Sequence, residues 1–243
     1  MSRGFYGNVS EFYDEMINFD LLLANRHGIK NFILPEYKSA TDIGCGTGID
    51  SIAMSKLGLF VTALDPSPEM ILKAKTNAQK YAVKINFQNT GISEIIKVSD
   101  NQDLVISLGN TSANISPEEL ENGLKAIYNI LNPGGRFILQ QINYSNPGYV
   151  SPSIISIKET ETGTIIRFNT GDDESLNFHI MKYDRSDNSK NTLLSTRIFS
   201  HKKEWFEKVL AAAGFKQIGF FGDLEKNRFD KEKSRNLVIS AQK

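Results

Sequence analysis

The chain has a single cysteine, Cys45, among its 243 residues, so no disulfide can form within it and nothing points to an oxidising compartment. Neither charge is in excess, with Lys and Arg totalling 28 and Asp and Glu also 28. A general nucleic-acid binder carries a basic surplus, and this balance argues against that class. The short basic clusters at 201–203 and 231–235 read as solvated helix faces. The three histidines, His27, His179 and His201, are scattered and lack cysteine partners at metal-ligand spacing, so no metal is expected. No apolar run approaches the length that crosses a bilayer, and the first residues, MSRGFYGNVSEFYDEM, lack the apolar core of a secretory signal. There is no internal repeat and no low-complexity tract. The expectation is a cytoplasmic protein with no nucleic-acid or membrane partner; self-association is left open. Its 40% hydrophobic content is ample at this length for one α/β core.

What the chain has in quantity is alternation. Apolar positions at helical spacing over 10–34 (Phe12, Met16, Phe19, Leu22, Leu23) predict one or two helices ending at Pro35. Strands follow at SATDIG, LFVTALD, KINFQNT, DLVISLG and RFILQQIN. Between them lie helices: IDSIAMSKLG, with Ile49, Ile52, Ala53 and Leu57 on one face; PEMILKAKTNAQKYA, with Ser67 as N-cap and Pro68 in the first turn; and PEELENGLKAIYNIL, capped by Ser116 and stopped by Pro133-Gly134. Strands and helices joined by short links make βαβ units and a parallel sheet. After Asn143 the helical period disappears, and turn signals at Thr162-Gly163, Gly171-Asp172 and Ser186 to Lys190 divide the chain into antiparallel hairpins. KKEWFEKVLAAAGF restores a helix, and KQIGFFG and RNLVISAQ supply two last strands. The expected fold is α/β, a Rossmann-like seven-stranded mostly parallel sheet with helices on both faces, plus a small antiparallel β insertion.

The stretch TDIGCGTGID, residues 41–50, places glycines at 44, 46 and 48 directly behind the first strand. Glycine serves where φ must be positive or where something approaches the main chain closely. A nicotinamide site wants G-x-G-x-x-G, but Ile49 stands where the third glycine belongs, and Asp42 would repel a pyrophosphate. No Gly-Lys-Ser/Thr follows, which excludes a P-loop. Asp65 ends the second strand, where a carboxylate can accept both ribose hydroxyls of a nucleoside. A nucleoside with a cationic arm and no phosphates describes S-adenosylmethionine; the loop alone would also suit a plain tight turn.

With DIGCGTGID, ALDPSPEMI and LNPGGRFIL in place, the sequence resembles the class I S-adenosylmethionine-dependent methyltransferases over most of its length. ISLGNTSANI, together with the CGTGIDSIAM and VTALDPSPEM pair, brings it nearest to glycine/sarcosine N-methyltransferase-like enzymes. The resemblance implies residue roles. Gly44, Cys45, Gly46 and Gly48 would approach the methionine arm, with Asp42 near its ammonium. Asp65 would bind the ribose, with Pro66 and Met70 beside it, and Ile92 would lie against the adenine. Leu108, Gly109 and Asn110 would line the cofactor at the end of strand four, Asn110 reaching the substrate side. Tyr6, Tyr13 and Arg26 occupy places where relatives cap the site, although such tyrosines also serve as core packing and such an arginine as a surface residue. The implied units are 1–145, N-terminal helices and cofactor-binding core; 146–199, a β insertion acting as substrate lid; and 200–243, completing the core.

Two positions depart from the resemblance. Gly91 stands where many relatives have an acid for the adenine amine, leaving backbone groups, Ser93 or Glu94 for that task. Ile142, before Asn143 and Tyr144, stands where the glycine-type enzymes place an arginine for the substrate carboxylate, and an alkyl chain does not replace a bidentate guanidinium. Methyl transfer from a sulfonium is an in-line displacement that needs mainly alignment and exclusion of water. Asn110 and Tyr144 are the candidate catalytic residues. His179 reads as a strand-face histidine, and no general base is assigned. Phe168, Phe178 and Tyr183 of the insertion would line the lid or form its own small core. The expected function is methyl transfer from S-adenosylmethionine, leaving S-adenosylhomocysteine, to a small-molecule acceptor, most readily a nitrogen as in the glycine/sarcosine-type enzymes, with glycine itself in doubt as the acceptor. Alternatives are a small-molecule O-methyltransferase and a catalytically silent cofactor binder. LGNTSANI lacks the Asn/Asp-Pro-Pro-aromatic tetrapeptide of many base N-methylating enzymes.

Overall fold

The β-branched runs after each short link pair side by side, and the order in which they do so creates the site. The computed structural model describes residues 3–10, 12–98, 100–149, 152–172 and 175–243. Its main sheet contains β1 (Ser39–Ile43), β2 (Phe60–Leu64), β3 (Ile85–Gln88), β4 (Gln102–Ser107), β5 (Leu131–Ile142), β10 (Lys216–Phe221) and β11 (Asn236–Gln242). They lie in the order β10-β11-β5-β4-β1-β2-β3. Only β11 runs against its neighbours; β1 to β5 are mutually parallel. The chain moves outward from β1 to β3 and then returns to place β4 on the other side of β1. The switch point therefore opens a crevice beyond the carboxyl ends of β1 and β4, where α/β sheets bind ligands.

Helices cover both faces. On one, α7 (Pro117–Ile130) and α8 (Lys203–Ala213) bury Leu124, Ile127, Phe206 and Leu210 against Val105, Phe137 and Leu139. On the other, Met54 of α4 (Ile49–Lys56) packs with Ile29, Phe32 and Leu104. α5 (Pro68–Lys80) lays Ile71 on Cys45 and Ala63. The predicted caps form: the Ser67 hydroxyl accepts from the Met70 N–H at 3.3 Å and that of Ser116 from the Glu119 N–H at 3.2 Å. No described helix is long and apolar enough to cross a membrane.

Three local expectations change. The N-terminal segment is broken into α1 (Arg3–Ser10), α2 (Tyr13–Met16), α3 (Phe19–Ala24) and a 3-10 stretch, Asn25–Phe32. It follows the body's contour in short pieces, and at Gly28 it passes so close to Leu224 that a Cβ would sit 2.8 Å from that side chain. Leu57 is 44% exposed because α4 ends at Lys56, and Met54 takes the core position instead. Pro133-Gly134 does not end α7, which stops at Ile130; these residues form the irregular opening of β5, where its register against β4 shifts.

The insertion forms a second sheet, β6 (Ser153–Glu159), β7 (Gly163–Thr170), β8 (Leu176–Asp184) and β9 (Thr192–Ile198), antiparallel throughout. Period-two alternation gives it an inner face, where Ile165 and Ile180 pack on Phe5, Val9, Phe12 and Met16. The N-terminal helices are thus held between the inserted sheet and the core, above the crevice.

Candidate functional site

The glycine loop turns through three residues of positive φ: Gly44 at 71°, Gly46 at 52° and Gly48 at 91°. They do different work. A Cβ on Gly44 would lie 2.3 Å from Thr111 Cγ2, and one on Gly48 3.2 Å from the Ala74 methyl, so these two serve close packing. A Cβ on Gly46 would meet nothing within 4 Å, and this residue presents bare backbone to open space. The Gly46 N–H donates to Asp65 Oδ2 and the Ser67 N–H to Asp65 Oδ1, each at 2.9 Å. These two bonds fix the carboxylate at the end of β2. Burial pushes the Asp65 carboxyl up, and the same two bonds oppose that shift.

The loop floors a cleft of about 960 Å³, its open mouth included, which is ligand-sized. Gly44, Cys45, Gly46, Thr47, Asp65, Met70, Leu108 and Gly109 line the side formed by the core. Tyr6, Tyr13, Ile17, Leu22 and Arg26 close it from the N-terminal helices, and Arg167 enters from β7. Arg26 Nε lies 2.5 Å from Asp50 Oδ1 at the start of α4. Thr47 Oγ1 and Asn114 Oδ1 are buried on this wall without a hydrogen-bond partner, an arrangement that suits a polar ligand. The fit to a nucleoside with a charged amino-acid arm is good. Asp65 could accept ribose hydroxyls, Gly46 leaves room for a close approach, Met70 gives an apolar surface, and the Arg26–Asp50 pair carries both signs that a zwitterion needs.

Several residues singled out in the sequence stand behind the wall. Asp42, 1% exposed, accepts a hydrogen bond from the Ser51 hydroxyl. It does not line the cleft; burial and the neighbouring Asp50 push its carboxyl up, so it stands as a protonated group behind the wall. Ile92 is in the core with its Cδ1 over Gly123, and neither it nor Pro66 or Gly48 lines the cleft. Asn110 and Tyr144 form a brace: Asn110 Nδ2 donates to the Tyr144 oxygen at 2.9 Å, and Asn110 Oδ1 accepts from the Ile142 N–H at 2.9 Å. Tyr144 is 1% exposed, packed with Ala113, Leu176 and Ile198. On this geometry Tyr144→Phe should cost about 1 kcal/mol of stability, the worth of one hydrogen bond. Cofactor affinity should stay within about twofold, and a larger loss in a calorimetric titration would put the hydroxyl in the cleft.

The insertion's aromatics are not on the cleft wall either. Phe168 stacks on His179 at 4.7 Å between centroids, Tyr183 is exposed, and Phe178 packs on Phe5. His179 is held on both ring nitrogens by Thr170 and Ser195, and His201 bonds the Ile115 carbonyl at 2.9 Å; neither reaches the cleft. The residues missed in the sequence are Thr47, Asp50, Asn114 and above all Arg167. Its signal was present: in TIIRFNT, period-two alternation puts Arg167 on the face of Ile165 and Asn169.

Residues 40–135 match the family model for the methyltransferase domain. This segment of the chain is thus a methyltransferase domain. Along 88% of its length the chain is 26% identical to glycine/sarcosine N-methyltransferase of Aphanothece halophytica, covering 81% of that protein. Shorter segments match other relatives. One is 40% identical to ribosomal protein L11 methyltransferase of Campylobacter fetus over 30% of this chain and 26% of that one. Another is 29% identical to ubiquinone biosynthesis O-methyltransferase of Methylobacterium sp. over 42% and 40% respectively. The matches thus span under half the length of these two relatives. In fold the chain is similar to the CcbJ methyltransferase of Streptomyces caelestis, with a TM-score of 0.83 at 17% identity over 99% of this chain and 98% of that one.

Proposed function

We propose that this methyltransferase domain methylates the nitrogen of a small molecule. S-adenosylmethionine, when bound, supplies an electrophilic methyl on sulfur with a good leaving group. The residues around it bind, orient and keep water out. Asp65 would take the ribose hydroxyls, the Gly46 backbone the methionine arm, and Arg26 with Asp50 its charged end. Tyr6, Tyr13 and the lid sheet would shield the reacting centre. Asn110 and Tyr144 would act as positioning residues, joining the end of β4 to β5.

The observation that carries nitrogen over oxygen is that the two carboxylates described on the cleft wall are already engaged, Asp50 by Arg26 and Asp65 by the Gly46 and Ser67 N–H groups. No described histidine lines the cleft, and burial pushes the hydroxyls of Tyr6 and Tyr13 up, so both keep their protons at neutral pH. The Cys45 thiol is likewise pushed well up by burial. An amine that arrives neutral needs no base, whereas an alcohol or phenol does. The test is to offer purified protein and methyl-labelled cofactor a pool of amines, amino acids including glycine and sarcosine, and phenols, reading transfer by mass spectrometry. Label on a nitrogen compound supports the proposal. Label on a phenolic oxygen overturns it in favour of O-methylation, and tight binding of S-adenosylhomocysteine with no transfer to any acceptor points to a silent binder.

The acid cluster behind the loop sets a pH dependence. Burial, with Asp50 adding to it, pushes the Asp42 carboxyl from an ordinary 3.8 up to about 8. The native state therefore holds a proton that the unfolded chain releases near pH 4. Stability from this group is fully present below about pH 4 and is lost as pH rises to about 8, by up to about 1.4 kcal/mol per unit. Asp42→Asn should flatten the fall of Tm with pH across that window; an unchanged slope in scanning calorimetry would contradict the assignment.

A further inference from the structure

The expected arginine of the glycine-type enzymes is absent at Ile142, yet the cleft does contain an arginine beyond the one paired with Asp50. Arg167 lies on the inner face of β7, opposite Ser156 of β6 and Ile180 of β8 in the strand register. Its Nε donates to the Ser156 hydroxyl at 2.7 Å, which fixes the plane of the guanidinium. Among the described residues no group accepts a hydrogen bond from its Nη1 or Nη2, and no carboxylate pairs with it. The side chain is half-buried beside Tyr13, and burial weakens its hold on its proton. The contrast with Arg26 is direct, since that cation is already matched by Asp50. A partly desolvated guanidinium on the wall of a ligand cleft, with its Nε fixed by Ser156, keeps two terminal nitrogens for a bidentate acid.

We propose that Arg167 anchors the methyl acceptor by a carboxylate, so that the acceptor is a carboxylate-bearing amine gripped from the inserted sheet rather than from the end of β5. The inference rests on the methyltransferase reading above. It follows that acceptor choice is separable from the core: β7 and β6 carry the anchor and its support, while the glycine loop and Asp65 carry the cofactor. Asn114 Oδ1, buried on the same wall without a partner, offers an acceptor for the amine N–H.

The experiment uses the full chain saturated with S-adenosylhomocysteine and titrates it calorimetrically with amino acids and the matching amides, pair by pair. The same pairs are then offered as acceptors with labelled cofactor. The wild type should bind and methylate at least one acid more than 10-fold better than its amide. Arg167→Met should raise Kd and KM for that acid by roughly 10- to 100-fold, with the amide and cofactor affinity changed by less than about threefold. Arg167→Lys should recover part of the loss, because it keeps the charge without the fork. Ser156→Ala should produce a smaller rise in KM with kcat unchanged, as expected for a positioning residue. The proposal is overturned if no acid is preferred over its amide while the cofactor still binds. It is also overturned if Arg167→Met weakens S-adenosylhomocysteine instead, which would make Arg167 a partner of the cofactor's own carboxylate. Absence of any cofactor binding by the wild type would be a different failure, that of the methyltransferase reading itself.

Discussion

Asp65→Ala should weaken S-adenosylhomocysteine binding by about 100- to 1000-fold. The carboxylate is 7% exposed and held by the Gly46 and Ser67 N–H groups, one on each oxygen. Each oxygen keeps a lone pair for a ribose hydroxyl, and a hydrogen bond to a charged group contributes about 1.5–3 kcal/mol. Two such bonds near the lower end, about 1.5–2 kcal/mol each, give the stated range at 1.4 kcal/mol per tenfold. Part of the effect would be indirect, because the Gly46 N–H loses its acceptor and the loop loses a constraint. Asp65→Asn separates the two contributions, since it keeps an oxygen for one N–H and should cost roughly tenfold. Isothermal titration of both variants reads the difference. Asp65→Ala binding within about threefold of wild type would remove Asp65 from the cofactor site.

The second large effect divides the glycine loop by function. Gly44→Ala should damage folding and Gly46→Ala should damage binding, although both have positive φ. A left-handed backbone costs an alanine about 1–2 kcal/mol at either position. At Gly44 the methyl would also drive into Thr111, 2.3 Å from Cγ2 and 2.7 Å from Oγ1, so a total loss of about 3 kcal/mol or more is expected. At Gly46 the methyl enters open space on the cleft floor, where it would exclude the ligand's arm, and a loss of affinity beyond roughly 10-fold should accompany only a small drop in Tm. Adding Thr111→Ala to Gly44→Ala should recover part of the lost stability, as contacting sites couple. Equal stability losses at the two glycines, or no recovery in the double variant, would show that the collision with Thr111 is not what requires glycine at 44.

Much of this molecule was legible because its signals are local. The caps at Ser67 and Ser116, the strand–glycine–helix order at 39–56, the acid closing β2 and the change from helical to strand period after Asn143 each depend on residues a few positions apart. They determined the α/β alternation, the seven strands, the antiparallel insertion and the cofactor class. Tertiary structure decided which of those residues face the cleft. Ile92 and Asp42 were assigned to the ligand by their place in a motif, but adjacent side chains on a strand or short turn point to opposite sides, and Gly123 and Ser51 claim these two. The N-terminal segment breaks into short pieces because its path is set by packing against α5, the inserted sheet and the loop at Leu224. Arg167 reaches the cleft only because the insertion folds back over helices formed more than 100 positions earlier in the chain. Local spacing selects an element and its face; the partner of that face is chosen by long-range packing, which no short window of sequence contains.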